Sequence, residues 1–170
     1  HMKSISIAGT QAPAIIQGCM RIDAMSVNEL EELIHQDLKL GINFFDHADI
    51  YGKGVCEELF GKVLKAQPSL RKDMLIQSKC GIHRSETTHY DFSRDYILRC
   101  VDASLERLQC GYLDYLLLHR PDALMDPLEV AQAFDALYTS GKVKHFGVSN
   151  HNPYQIELLK KYSRQPIEIN

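Results

Sequence analysis

The sequence predicts an α/β fold, a TIM (β/α)8 barrel of which about the first six strands and five helices are present. Short apolar runs alternate with segments of helical periodicity, and polar residues follow successive runs at their carboxyl ends. After the first run the sequence reads "GCMRID", so the G-x-G-x-x-G turn of an open dinucleotide-binding sheet is absent. In an open sheet, functional residues are expected only at the strands beside the switch point, whereas in a barrel the carboxyl ends of all strands surround one active site. Polar residues after successive strands therefore favour the barrel.

The strands are predicted from continuous apolar runs bounded by turn residues. A short extended segment over residues 5–8 precedes them. The six predicted strands cover residues 14–18, 42–45, 74–78, 115–118, 143–148 and 167–169. The polar stretch "GIHRSETTHYD", residues 81–91, follows the third of them and is predicted to be a surface loop, with a flap as the alternative.

The helices are predicted from their start and stop signals. Ser26 and Glu29 form a capping box, and Gly41 stands where a left-handed C-cap belongs. Asp126 before Pro127 begins another helix, which we expect to end at Gly141. The remaining helices are expected over residues 57–64 and 93–108 and after residue 152. The apolar residues predicted to face inward from the capped and the longest helices are Leu30, Leu33, Ile34, Leu38, Ile97, Val101, Leu105, Leu108, Val130, Phe134, Leu137 and Tyr138.

The chain length sets the domain organisation that we expect. The 170 residues, 45% hydrophobic and 24% charged, suit a single barrel domain over residues 1–170. A complete barrel of this type takes eight strands and about 250 residues. We therefore interpret the sequence as the first two thirds of a larger protein, ending before strands seven and eight. His1 before Met2 is interpreted as an expression-vector scar.

The composition limits which binding partners and which cellular compartment are expected. The net charge is -3 and basic residues are scattered, so neither nucleic acid nor an anionic membrane is expected as a partner. There is no apolar run of about 18 residues and no secretory signal, which predicts a cytoplasmic protein. The cysteines form no C-x-x-C pair and are expected to be reduced, mostly as small buried hydrophobic side chains: Cys19, Cys56, Cys80, Cys100 and Cys110.

Ionisable residues follow three predicted strands. Asp46 comes after "INFF", Lys79 after "MLIQS" and His119 after "YLLL", with Tyr51 five residues beyond Asp46. A static buried ion pair of Asp46 and Lys79, or a core histidine at position 119, is the structural alternative. Because all of these residues fall at corresponding positions of successive βα units, we predict an active site instead.

This set of side chains suits carbonyl reduction. Hydride added to a carbonyl carbon leaves negative charge on the oxygen, which must be protonated, and a phenol is a weak acid unless a nearby cation stabilises its phenolate. Lys79 can supply that cation, Asp46 can hold the ammonium, and His119 can donate a hydrogen bond to the carbonyl oxygen.

Four segments, "GINFFDHADIYG", "SKCGI", "LLLHRPD" and "HFGVSNHNP", resemble in order and spacing the aldo-keto reductases, NADPH-dependent barrel oxidoreductases. The resemblance implies Tyr51 as the general acid, Asp46 and Lys79 as its activating pair and His119 as the carbonyl orienter. The residues implied to contact NADPH are Cys19, Met20, Arg21, Asp46, Ser149 and Asn150. The family's clamp on the adenosine 2′-phosphate and its main selectivity loop correspond to positions beyond Asn170.

Other functions stay open at this point. Some members of the family serve as cofactor-binding sensors or regulatory subunits, and a chain of six strands could be an inactive fragment with negligible NADPH affinity. A metal-dependent hydrolase could use His47, Asp49, His119, His145 and His151, but Lys79 beside Asp46 would repel a cation, so no metal is expected. His47 is instead expected to be a polar residue of a half-exposed loop, and Asp49 part of the surroundings of the site. The substrate is expected to be a small carbonyl compound, and the oligomeric state is not indicated.

Overall fold

A parallel sheet whose neighbouring strands follow one another along the chain forms the centre of the fold. It is seen in a computed structural model, which describes residues 3–7, 9–83, 89–90, 93–119, 126–149 and 153–169. In chain order the strands are β1 (Ser4–Ile7), β2 (Thr10–Pro13), β3 (Gln17–Gly18), β4 (Phe44–Asp46), β5 (Leu75–Cys80), β6 (Ile82–His83), β7 (His89–Tyr90), β8 (Leu113–His119), β9 (Val143–Ser149) and β10 (Ile167–Ile169). The helices are α1 (Val27–Leu40), α2 (Val55–Ala66), α3 (Arg94–Leu108), α4 (Pro127–Thr139) and α5 (Pro153–Tyr162).

The six-stranded sheet has the order β10-β9-β8-β5-β4-β3, and its neighbouring strands are parallel. Each new strand adds on the same side as the one before it, without the reversal that creates a switch point in an open doubly wound sheet. Successive helices pack against one another in the same order, from α1 to α5. The predicted α/β architecture of a barrel, in the form of six parallel strands with five helices, is confirmed.

Helix signals in the sequence correspond to the observed ends. The Ser26 side chain accepts from the Glu29 backbone N–H while the Glu29 carboxylate accepts from the Ser26 N–H, so both halves of the capping box are present. Gly41 ends α1 in the left-handed region at φ 84°. Asp126 caps α4 through the Leu128 N–H. Tyr138 of α4 is 53% exposed, so its predicted inward position is wrong, whereas its neighbour Leu137 is buried.

The first residues form a β-hairpin, of which the sequence predicts only one extended segment, residues 5–8. β1 pairs antiparallel with β2, and Gly9 makes the reversal at φ 76°. The predicted strand over residues 14–18 is shortened to Gln17–Gly18, because Ile15 and Ile16 lie exposed between the hairpin and the sheet. The Tyr115 hydroxyl donates to the Ile7 carbonyl at 2.9 Å. The hairpin therefore lies across the amino-terminal end of the parallel strands.

The two faces of the sheet carry different apolar clusters. Alternate residues of a strand point to opposite faces, so Phe44 packs with Ala12 and Tyr115 on the inner face, while Phe45 packs with Phe60 of α2 on the outer one. The outer cluster holds most of the buried apolar side chains and attaches the helices. Toward the carboxyl ends of the strands, the inner face carries polar side chains.

Gly61 sets the distance between α2 and α3. A Cβ atom placed at this position would lie 1.8 Å from the Arg107 carbonyl oxygen, which belongs to the backbone of α3. The two helices thus approach each other at a point where only hydrogen fits.

The predicted loop over residues 81–91 contains paired backbone, since β6 and β7 run antiparallel with Ile82 opposite Tyr90. Residues 84–88 and 91–92 lie outside the described residues. Within the described part of the chain, no helix has the length and apolar character needed to cross a membrane.

Candidate active site

The strand register brings the predicted catalytic residues to one face of the sheet. Asp46 ends β4 opposite Gln77, and Lys79 lies two residues further along β5, on the same face. Lys79 is opposite Leu117, and His119, again two residues along, ends β8 opposite Ser149. Because aligned residues of neighbouring strands share a face, these side chains line the inner surface near the carboxyl ends of the strands.

Lys79 is the centre of the site. Its Nζ donates to Asp46 Oδ1 at 2.5 Å, to the Tyr51 hydroxyl at 3.2 Å and to the His47 carbonyl at 3.1 Å. The Lys79 side chain is 8% exposed and the Asp46 side chain 24% exposed. All three of these donor-acceptor pairs involve the ammonium, so the cation is fixed between a carboxylate and a phenol at the edge of solvent.

A tight turn carries Tyr51 back toward Lys79. After β4 the backbone is anchored by the Asp49 N–H, which donates to the Lys79 carbonyl at 3.1 Å, and by the Tyr51 N–H, which donates to Ala48. The next three residues are left-handed, with φ values of 56° at Gly52, 56° at Lys53 and 93° at Gly54. Lys53 has a Cβ atom and adopts this conformation at a cost of about 1–2 kcal/mol. A strained segment therefore follows the tyrosine directly and leads into α2.

The sequence reasoning missed Gln77. Its Nε2 donates to Asp46 Oδ1 at 2.7 Å, so this amide and the Lys79 ammonium share one carboxylate oxygen. The signal was present in the sequence, because Gln77 lies two residues before Lys79 in the same strand and period-two alternation puts both on one face. A half-buried amide on the inner face of an apolar strand needs a partner, and Asp46 provides it.

His47 is completely buried, so its predicted position in a half-exposed loop is wrong. Its ring packs edge-on against Phe60 at 4.5 Å between centroids, on the outer face of the sheet. Neither ring nitrogen has a hydrogen-bond partner among the described residues. Burial, and secondarily the charge of Lys79, lowers the pKa of His47 to about 3. The neutral ring is a structural element behind Asp46.

A second ionic cluster, which the sequence reasoning did not find, lies behind the strand that carries Lys79. Glu57 is fully buried and accepts from Ser78, Ser104 and Arg107, the last at 2.7 Å from Nη2 to Oε1. Burial, followed by the nearby charge of Glu57, raises the pKa of Asp49 to about 7. The cluster ties β5, α2 and α3 together directly behind the site.

Of the residues implied to contact a cofactor, Cys19 is joined directly to Asp46. The Cys19 N–H donates to the Asp46 carbonyl at 2.9 Å, which joins the end of β3 to the site. Cys19 is buried, and desolvation raises the pKa of its thiol well above the usual range. Met20 and Arg21 are exposed. The backbone of Ser149 lies beside His119, and Asn150 lies outside the described residues.

The described residues contain no group of three or more histidine, cysteine, aspartate or glutamate side chains placed to hold a metal ion. Among the residues gathered here, Lys79 occupies the place beside Asp46 that a cation would need.

Comparison with known proteins finds relatives of this chain. The model of the aldo/keto reductase family matches residues 14–170. The uncharacterized oxidoreductase YcsN of Bacillus subtilis is 42% identical over 181 residues, covering 99% of this chain and 60% of the relative. A 6-dehydroglucose reductase of Novosphingobium aromaticivorans is 43% identical over 137 residues, covering 77% of this chain and 44% of the relative. A putative voltage-gated potassium channel subunit beta of Schizosaccharomyces pombe is 34% identical over 139 residues, covering 79% of this chain and 40% of the relative.

The solved structures agree on the fold. The holo form of the aldo-keto reductase AKR11C1 from Bacillus halodurans superposes with a TM-score of 0.84 at 29% identity, covering the whole of this chain and 58% of the other. The chain spans about half the length of the curated relatives it matches. The resemblance read from the four sequence motifs is confirmed, and the chain belongs to the aldo/keto reductase family.

Proposed function

We propose that this protein reduces aldehyde or ketone carbonyls with NADPH, with Tyr51 as the proton donor. The observation that supports this most strongly is the position of Lys79 Nζ, in hydrogen-bond contact with both the Asp46 carboxylate and the Tyr51 hydroxyl. A purely structural ion pair would not need a phenol at the same ammonium. The contact between Lys79 and the Tyr51 hydroxyl adds a group that can donate a proton to a substrate.

The residues of this chain divide the work. Tyr51 gives its hydroxyl proton to the carbonyl oxygen as that oxygen gains negative charge, and the Lys79 ammonium at 3.2 Å stabilises the charge left on the tyrosine oxygen. Asp46 holds the ammonium in position through its ion pair. His119, on the same face of the next strand, orients the carbonyl through a hydrogen bond. NADPH, when bound, supplies the hydride that adds to the carbonyl carbon.

On the inner face, Asp46 would bind the nicotinamide nucleotide. It borders a cavity of about 550 Å³ whose lining also includes Gly18, Gln77 and Leu117 and, on β1 and β8, Ser6, Ile7 and Tyr115. Gln77 and Lys79 both bind Oδ1 of Asp46, which leaves Oδ2 directed to neither and able to accept from a ribose hydroxyl. Cys19, Met20 and Arg21 would border the cofactor at the rim, and Ser149 and Asn150 would bind the carboxamide.

Turnover of a carbonyl panel tests the proposal. The purified protein is mixed with NADPH and simple aldehydes, ketones and oxidised sugars, the last because one relative is named a 6-dehydroglucose reductase. Oxidation of NADPH is followed by its absorbance. We expect Tyr51→Phe to lower kcat by at least about 100-fold, as loss of a general acid does, with unchanged NADPH affinity measured by fluorescence. A Tyr51→Phe protein as fast as the parent would overturn the mechanism.

The same assay addresses a regulatory role, which the channel-subunit relative suggests. In that case the protein binds NADPH, and the nucleotide is not oxidised faster when any carbonyl compound is added. Retention of the Asp46, Tyr51 and Lys79 contacts supports the enzyme.

A further inference from the structure

A second cavity lies on the outer side of the sheet, behind the turn that carries Tyr51. It has a volume of about 460 Å³ and is lined by residues of that turn, Asp49, Ile50 and Lys53, and by residues of α3, Tyr96, Cys100 and Arg107. Its wall is fixed to the reductase site because the Asp49 N–H donates to the Lys79 carbonyl. The proposed carbonyl reduction uses none of the residues that line it.

Two thiols meet at this cavity. Cys100 is half-buried and lines it, while Cys80, the last residue of β5, is 2% exposed. Cys80 follows Lys79, whose carbonyl accepts from the Asp49 N–H, and Asp49 lines the cavity together with Cys100, so the two thiols lie close to each other. Each thiol shifts the pKa of the other, and Tyr96 also acts on Cys100. Cys100 is therefore open to a solute in the cavity, whereas Cys80 is shielded from solvent.

The surroundings favour the thiolate at Cys100. The adjacent Cys80 side chain lowers the pKa of the Cys100 thiol, and Tyr96 and the charge of Arg107 act in the same direction, whereas burial and the charge of Asp49 oppose them. The adjacent Cys100 side chain, followed by burial, raises the pKa of Cys80 well above the usual range. The cavity wall carries the cations Lys53 and Arg107 together with the carboxyl group of Asp49. The thiolate is the reactive form, so the accessible cysteine of the pair is also the more nucleophilic one.

We propose that Cys100 is a peroxide-reactive thiol and that Cys80 resolves its oxidised form into a Cys80–Cys100 disulfide. The Cys100 thiolate attacks one oxygen of hydrogen peroxide, the S–O bond forms, the O–O bond breaks and hydroxide leaves. Cys80 then attacks the sulfenic sulfur, the S–S bond forms and the S–O bond breaks with release of water. The sum is two thiols and one peroxide giving one disulfide and two waters.

The proposal is independent of the reductase activity and is tested without it. The reduced protein, freed of reductant, is treated with hydrogen peroxide, then alkylated and digested with trypsin. Cleavage after Lys79, Arg84, Arg99 and Arg107 places Cys80 in residues 80–84 and Cys100 in residues 100–107, whereas Cys110 falls in a different peptide. We expect the two short peptides joined, with a loss of two hydrogens that dithiothreitol reverses.

Variants separate the two roles. In Cys80→Ser the sulfenic acid at Cys100 should persist and react with dimedone, and in Cys100→Ser no disulfide to Cys80 should form. The matched control is Cys110→Ser, which removes a buried thiol whose pKa burial raises to about 11 and should leave the cross-link unchanged. In the unmutated protein Cys100 should react at least about ten times faster than Cys110. Peroxide treatment that leaves Cys80 and Cys100 both free for alkylation, or that modifies Cys110 as fast as Cys100, would overturn the proposal.

Discussion

Gln77 and Lys79 donate hydrogen bonds to the same oxygen of Asp46, at 2.7 and 2.5 Å. The amide thereby fixes the rotation of the carboxylate that holds the ammonium, and it does so from the strand that also carries Lys79. Asp46 is bound from two successive inward positions of β5.

Replacing Gln77 with Leu should lower kcat/KM for carbonyl reduction about tenfold. The change removes one hydrogen bond to a charged group, of about 1.5 kcal/mol, and leaves the carboxylate free to turn away from Lys79. Steady-state turnover with NADPH measures the effect. Gln36→Leu is the matched control, because Gln36 donates to the Glu32 carboxylate on the exposed face of α1. Equal kcat/KM for the Gln77→Leu protein and the parent would show that the amide does not position Asp46.

Replacing His47 with Leu should make the free energy of unfolding depend less steeply on pH in the acid range. The pKa of His47 is about 3 in the folded protein against an ordinary value near 6.5, so the unfolded chain binds the extra proton between these pH values. The free energy of unfolding therefore falls as the pH decreases from about 6.5 toward 3, and this contribution disappears with Leu. Urea unfolding at pH 8, 6 and 4 measures the slope.

The exposed His35 is the control for this measurement, because its side chain lies 49% exposed on α1. A His35→Leu protein should keep the pH dependence of the parent. If the His47→Leu protein loses stability between pH 6 and 4 as steeply as the parent does, the burial of a neutral imidazole is not the cause.

Replacing Arg107 with Met should destabilise the fold by about 3–5 kcal/mol. Met keeps most of the side-chain length but leaves the fully buried Glu57 carboxylate without its cation. Lys142→Met is the control, since the Lys142 and Asp102 side chains are 42% and 57% exposed and such pairs contribute about 0–1 kcal/mol. Chemical denaturation gives both values. Similar losses for the two variants would contradict the distinction between the buried and the exposed pair.

Replacing Gly61 with Ala should destabilise the protein by about 1–3 kcal/mol, although alanine is the better helix former by about 1 kcal/mol. The reason is the added Cβ, 1.8 Å from the Arg107 carbonyl oxygen, which forces α2 and α3 apart. Lys62→Ala, on the exposed side of the same helix, should change stability by less than about 0.5 kcal/mol. Thermal unfolding compares them, and a Gly61→Ala protein more stable than the parent would rule out the close approach.

The parts of the fold that local patterns determine were predictable. The capping box at Ser26, the glycine at position 41 and the aspartate at position 126 act through contacts within a few residues, and each lies where expected. The hairpin was only partly predictable because β1 is held by the Tyr115 hydroxyl, 108 positions away, through the Ile7 carbonyl. Tyr138 continues an apolar stripe yet lies exposed, because no described element covers that side of α4.

The site shows the same division. Strand alternation alone puts Gln77 and Lys79 on one face of β5, whereas placing Asp46 beside them also requires the register between β4 and β5. The contact of Tyr51 with Lys79 depends on the turn over residues 47–50 and on the backbone hydrogen bonds that hold it, which no periodicity indicates. The burial of His47 depends on Phe60, whose approach is fixed only when α2 packs on the sheet.

The hairpin of β1 and β2 has a practical consequence for handling the protein. Because it packs against Phe44 and Leu75, the first residues of β4 and β5, it is separated along β5 from Lys79, which lies near the carboxyl end of that strand. A tag, dye or solid support attached to the hairpin should therefore meet the molecule at the amino-terminal ends of the strands. Immobilisation in this orientation should leave the carboxyl ends of the strands directed toward the solution.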